Sequence, residues 1–392
     1  MKILHTSDWH LGHVLYNYDR REEQLSMLDQ MAALVEKEQP DVFILAGDVY
    51  DTGQPSIAVQ MLFADAISKI HEACTAMRIV CIAGNHDSGS RHMIFHTPWA
   101  KMGVSMLGNV FREEADLSKY IIEIPGKGYV VAVPYAADRN MPDDFFKKLQ
   151  QQVAEMNRDQ LPVVLTAHLA VAGSDFRGHD NATEFMVGGL DCQKAEVFGE
   201  GYDYVALGHI HKAQFIHGTD HRMRYSGTPI PVSFDEAMGS NEHGVTMVEL
   251  EKHGDLPLFR AIPFVNPRPL VNLPLDDFDE WEAVKTQFEA FPDDIPAYIR
   301  LNVLVDGHLP VAANNEAQQI ASGKKCRFCL INAKRKAQVQ QNVGYQHFTT
   351  SEFQKMTPME VARMFLENKQ ETQTDELLKL FEIAMKEVGH ED

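Results

Sequence analysis

The stretch MKILHTSDWHLG, Met1 to Gly12, decides how the rest of the chain is read. A short apolar run, Ile3 and Leu4, gives way to Asp8, Trp9 and His10. This is the pattern of a buried strand that ends in polar groups. An Asp and a His two residues apart reach one point in space where the chain is extended or turning. The same design recurs at Val42 to Asp51, at Ile79 to Asp87, at Val205 to His211 and, in shorter form, at Val163 to His168. The spacing therefore predicts a frame that gathers five strand ends.

The segments between these strands fit that frame. Leu25, Leu28, Met31, Leu34 and Val35 fall at helical spacing within residues 20–38, and Gln39-Pro40 closes the helix. Pro55-Ser56 opens a second helix running to about Thr75. Strand, helix, strand, helix, strand with short turns predicts neighbouring parallel strands joined by right-handed crossovers. In such sheets ligands collect beyond the carboxyl ends of the strands, where Asp8, His10, Asp48, Asn85 and His86 stand. Residues 88–160 are harder to read. A hairpin of Ile121 to Ile124 and Tyr129 to Val133 turns at Pro125 to Gly128, and 143–157 reads as helix. Short strands continue to about Phe264.

The composition shifts at Asn266-Pro267-Arg268-Pro269, which divides the chain into a domain at 1–265, a small α+β domain at 270–340 and C-terminal helices within 355–392. The small domain is expected to hold helices 279–291 and 313–322 with strands 297–305 and 326–331. Lys324, Lys325, Arg327, Lys334, Arg335 and Lys336 are its basic stretch, read either as a solvated face or as a phosphate-backbone contact. Thr357-Pro358-Met359-Glu360 has the form of a capping box. Leu377, Phe381, Ala384 and Val388 form one stripe on a last helix, which either folds back or docks a partner.

Composition narrows the classes. The 392 residues carry a formal net charge of −20, which by itself argues against general DNA binding. Bound divalent cations would reverse that sign locally. No apolar run is long enough to cross a bilayer, and no signal peptide is visible, so a cytoplasmic chain is expected. Five cysteines, an odd number, fit a reducing compartment. Cys326 and Cys329 form a lone Cys-x-x-Cys without the second pair that structural zinc wants, and are read as packing thiols.

The strand ends together offer Asp8, His10, Asp48, Asn85, His86, His168, His209 and His211. Converging without cations, such a set would be repulsive or unsatisfied. Mixed oxygen and imidazole donors suit Mn²⁺, Fe²⁺ or Zn²⁺. Two such ions roughly 3.5–4 Å apart activate water and clamp an in-line phosphoryl displacement.

Asp8-Trp9-His10, Gly47 to Asp51, Gly84 to Asp87, His168 and Gly208 to His211 resemble the calcineurin-like metallophosphoesterases. Gly84 to Arg91, Val187 to Gly189, Tyr202 to His211 and Ser226 to Glu236 are similar to the SbcD-type nucleases of bacteria. The resemblance implies an α/β fold, a four-layer αββα sandwich, with a small α+β capping domain and C-terminal helices. It implies two Mn²⁺ ions, with Mg²⁺, Fe²⁺ or Zn²⁺ as substitutes. One would take Asp8, His10, Asp48 and His211; the other Asp48, Asn85, His168 and His209. His86 would be catalytic, contacting the scissile phosphate and protonating the leaving oxygen or stabilising charge. Asp87 would orient His86, Asp51 would support the ligands, and Arg91 would touch the DNA backbone. The resemblance further implies a homodimer, a DNA substrate and an SbcC-type ATPase partner with coiled coils, docked at the C-terminal helices. The expected activity is a DNA nuclease, exonucleolytic on duplex and endonucleolytic on single strands. A phosphatase or small-molecule phosphodiesterase on the same core, and a non-catalytic scaffold, are the competing readings.

Overall fold

In a computed structural model, residues 1–114, 116–137, 140–176, 192–237, 243–275, 277–336, 359 and 377–381 are described. The chain divides into two compact units, Met1–Lys334 and Arg335–Asp392. The first contains two six-stranded sheets.

In the first sheet, Lys2–Thr6, Val42–Ala46, Arg78–Ile82 and Val104–Leu107 run parallel in sequence order. Gly244–Glu249 and Leu258–Pro263 extend it antiparallel beside Lys2–Thr6. The second sheet runs from the edge Gln214–Phe215 through Met223–Tyr225, Tyr204–Gly208, Val163–His168 and Gly128–Val133 to Ile121–Ile124. Its three central pairings are parallel, and Ile121–Ile124 with Gly128–Val133 is the expected hairpin.

Alternation along the strands decides what lies on each face. Ile3, Val42, Ile44, Val80 and Ile82 turn towards the second sheet and share one core with Val131, Leu165, Val205 and Leu207. Leu4, Phe43, Leu45, Ile79 and Cys81 point the other way, onto the helices Arg21–Glu38 and Ile57–Ala73. The helix Phe145–Met156 sends Phe146, Leu149 and Val153 into the core of the second sheet. The layers are therefore helices, sheet, sheet, helix, an α/β sandwich.

Local boundaries follow recognisable causes. Gln39 takes the left-handed conformation, its N–H donates to Val35 O, and Pro40 follows. Ser56 caps the second helix by accepting from Val59 N. On the first helix, Met27 and not Leu25 faces the core; Leu25 is 41% exposed. The stretch after Asp87 forms short helical pieces, Gly89–His92 and His96–Ala100, before Val104–Leu107.

Leu270–Leu273, Tyr298–Val305 and Arg327–Arg335 form a three-stranded sheet covered by Trp281–Glu289 and Ala313–Ser322 around its own core. Part of the basic stretch is consumed inside this unit. The Lys324 ammonium donates to Glu289 O, Phe291 O and Asp293. Arg327 stacks on Tyr18 and Tyr298 and donates to the Tyr298 hydroxyl. Cys326 is buried and Cys329 partly so, and neither joins a metal-holding group among the described residues. No described helix is long and apolar enough to cross a membrane. The expected C-terminal helices lie outside the described residues except at Met359 and Leu377–Phe381, which are helical. Val187 to Gly189 also lie outside them.

Candidate metal centre

The loops that follow the strands of the first sheet are laced together by backbone hydrogen bonds. Asp8 N donates to Gly47 O, His10 N to Asp48 O and Leu11 N to Val49 O, at 2.9–3.1 Å. The turn is sharp enough to place Asp8, His10 and Asp48 at φ 53°, 45° and 48°, and His209 at 103°. Non-glycine residues in that region store about 1–3 kcal/mol each and cluster at functional sites. Gly84 lets the next loop lie against Asp48. A Cβ there would stand 2.1 Å from Asp48 Oδ1 and 2.3 Å from Asp48 N.

Two groups of ligand atoms result. Asp8, His10 and His211 form one; Asp48, His168 and His209 form the other, each with its atoms within 4.8 Å of one another. His10 Nε2 is 3.1 Å from His211 Nε2 and 4.0 Å from Asp48 Oδ2. Asp48 Oδ2 is also 3.2 Å from His168 Nε2. Asn85 Oδ1 lies 2.9 Å from both His168 Nε2 and His209 Nδ1. One oxygen of Asp48 thus faces both groups, while its other oxygen accepts from His86 N at 2.8 Å. Asp8, His10, Asp48, His168 and His211 are buried, whereas Asn85 and His86 are exposed at the rim.

The donor set fits cations for a specific reason. His168 Nδ1 is 2.8 Å from Ala46 O, an acceptor, so Nδ1 carries the proton of the neutral ring. The Nε2 lone pair then faces two oxygens that also only accept, Asp48 Oδ2 and Asn85 Oδ1. The carbonyl behind the ring is the kind of support that metal-binding imidazoles use. Burial pushes His168 down, but the Asp48 carboxylate beside it outweighs burial and raises it to about 9. Burial likewise opposes ionisation of Asp48, and the imidazoles of His168, His10 and His86 overcome it and hold the carboxyl well below its usual range. An environment that attracts protons to this degree also attracts divalent cations.

His86 stands beside both groups. Its Nδ1 donates to Asp51 O at 2.9 Å, and its ring meets His10 edge-on at 4.9 Å. The sequence expectation that Asp87 orients His86 is corrected here. The Asp87 carboxylate accepts from Val49 N, Tyr50 N and Gly84 N, so it pins the two loops together and leaves the ring alone. Asp51 serves twice, through its carbonyl to His86 and through its carboxylate 3.4 Å from His10 Nδ1. Arg91 is exposed. Gln24 escapes the sequence reading; its amide donates to His10 O and accepts from Gly12 N across a buried helix face. A polar residue on an otherwise apolar stripe is the signal that marks it.

A sandwich with oxygen and imidazole donors at the joined ends of both sheets defines a metallophosphoesterase. The family model for calcineurin-like phosphoesterases matches residues 1–213, and the chain belongs to that family. Within it, the similarity is to SbcD, the D component of the nuclease SbcCD. The Rhodobacter capsulatus SbcD is 30% identical over 298 residues, 70% of this chain and 72% of that one. The Bacillus subtilis SbcD is 31% identical over 290 residues, 69% and 71% of the two. The Escherichia coli K12 SbcD is 28% identical over 406 aligned residues, 97% of each.

Proposed function

We propose that this chain is the nuclease subunit of an SbcCD-type complex, a hydrolase that cleaves DNA phosphodiesters with two Mn²⁺ ions. The observation that carries the reading is the pair of donor groups sharing Asp48 Oδ2. Asp8, His10, Asp48 and His211 would hold one ion; Asp48, Asn85, His168 and His209 would hold the other. Bound there, the ions supply Lewis acidity toward phosphate oxygens and a nucleophilic water at neutral pH. The chain's own residues do the rest. Asp51 O fixes the His86 ring by taking the Nδ1 proton, so Nε2 of the protonated ring can donate to the leaving oxygen. The exposed rim lets a long polymer reach the buried floor.

The names of the relatives support DNA as the substrate and an SbcC-type ATPase as partner. On this reading the chain acts in DNA repair, recombination and replication as a double-strand 3′–5′ exonuclease and a single-strand and hairpin endonuclease. It works as a homodimer whose 270–340 unit caps the DNA and whose 355–392 segment docks the ATPase. Purified protein with Mn²⁺ is expected to degrade linear duplex and hairpin DNA. Hydrolysis of nucleotide monoesters alone would instead establish a phosphatase, and inactivity without metal uptake would establish a scaffold.

A further inference from the structure

Asp8 does not stand alone behind the first donor group. Its Oδ1 accepts from His209 N at 3.0 Å, and its Oδ2 accepts from the Ser7 hydroxyl. Ser7 Oγ is in turn 2.8 Å from Ser226 Oγ, and Ser7 and Ser226 are 0% and 3% exposed. Proton counting fixes the polarity. A hydroxyl has one proton, and an ionised carboxylate only accepts. Ser7 spends its proton on Asp8, so Ser226 donates to Ser7. The alternative acceptor for either hydroxyl, Gly227 O, is 3.4–3.5 Å away and weaker.

The segment that carries Ser226 touches the same donor group a second time. Thr228 N donates to His211 O at 3.0 Å. Gly227, at φ 71°, permits this approach, since a Cβ there would lie 2.5 Å from His211 O and 2.6 Å from Ala213 N. Further along, Pro231 O accepts from the buried Arg20 at 2.6 Å. Asp235 then accepts from Arg300 at 2.7 Å, in the strand Tyr298–Val305. Ser226 to Asp235 is thus a strap anchored at one end to Asp8 and His211 and at the other to the three-stranded unit.

We propose that Ser7 and Ser226 are positioning residues, a two-hydroxyl relay that aims Asp8, and that the strap supports one cation site and not the other. The inference rests on the two-cation reading above. The second group is braced from elsewhere: His168 by Ala46 O, and Asp48 by His86 N. Loss of the relay therefore reaches the two sites unequally. The relay moves no proton between residues; it sets which lone pairs of Asp8 stay available to a cation.

The test is Mn²⁺ titration of the chelated full-length protein by calorimetry, with electron paramagnetic resonance of bound Mn²⁺, on wild type, Ser226→Ala and Ser226→Thr. Wild type should take up two equivalents. Ser226→Ala should weaken one of them by about tenfold to a hundredfold, the range for groups that orient a metal ligand from behind, and leave the other unchanged. Its metal-free unfolding midpoint should stay within a few degrees of wild type. On DNA its kcat should fall at saturating Mn²⁺ with little change in KM, and Ser226→Thr, which keeps the hydroxyl, should recover most of the loss. Two unchanged equivalents in Ser226→Ala overturn the relay. Equal weakening of both, with a lowered metal-free midpoint, overturns it in favour of general packing. Failure of wild type to bind Mn²⁺ would strike the two-cation reading itself, a separate result.

Discussion

His86 is held by a backbone acceptor and ligates neither donor group in the proposed scheme. His86→Ala should therefore lower DNA cleavage by about 10²–10⁴-fold, the range for a lost general acid. Mn²⁺ stoichiometry should stay at wild-type level; coupled loss of metal would reassign His86 as a ligand. Gly84→Ala should behave in the opposite way. Its methyl collides with Asp48 Oδ1 and N, so uptake of both ions should fall together with activity, as titration of the variant would read. His5 offers a prediction away from the site. Fully buried, it donates from Nε2 to Leu207 O and accepts at Nδ1 from the Tyr204 hydroxyl. Burial and the Arg224 charge push it down to about 3 from an ordinary 6.5. The folded state thus holds this ring neutral while the unfolded chain protonates it. Its contribution is fully present above pH 6.5 and declines as pH falls towards 3, at up to about 1.4 kcal/mol per pH unit. Unfolding midpoints between pH 7 and 5 should fall less steeply in His5→Gln than in wild type.

The loops after the strands act as one element because Asp87 binds three N–H groups from two of them. Asp87→Ala strips all three of their acceptor and should destabilise the fold by roughly 2–4 kcal/mol, measured by denaturant unfolding, with activity falling alongside. This scale also shows what the sequence makes legible. Each ligand follows an apolar run that can only be a strand, and the parallel order follows from the helices between, so pattern alone places Asp8, Asp48, Asn85 and His168. It does not place Gly89–His92 and His96–Ala100, because pieces of four and five residues carry no period to read. Ser7 and Ser226 are silent for another reason. A small hydroxyl beside a strand has no spacing signature, and its partner lies 219 residues away. The basic stretch misleads when read by composition alone, since Lys324 and Arg327 spend their charge on carbonyls, a carboxylate and aromatic rings within the fold.

At the scale of the molecule, ligands come from both halves of the sandwich. Asp8, His10, Asp48 and Asn85 follow strands of the first sheet; His168, His209 and His211 belong to the second. Saturating Mn²⁺ should raise the unfolding free energy of chelated protein by about 2.7 kcal/mol per site at a hundredfold excess over Kd, visible as a higher midpoint. An unchanged midpoint would argue against binding across the halves. The hydrogen bond from the His168 ring to Ala46 O crosses the same boundary, joining a strand end of one sheet to a strand end of the other. The centre is then a rivet as well as a reagent. Withdrawing the ions should let the halves shear past each other at this end, so amide hydrogen exchange should quicken first at Ala46 to Asp51 and Gly208 to His211, while the opposite rim keeps its protection.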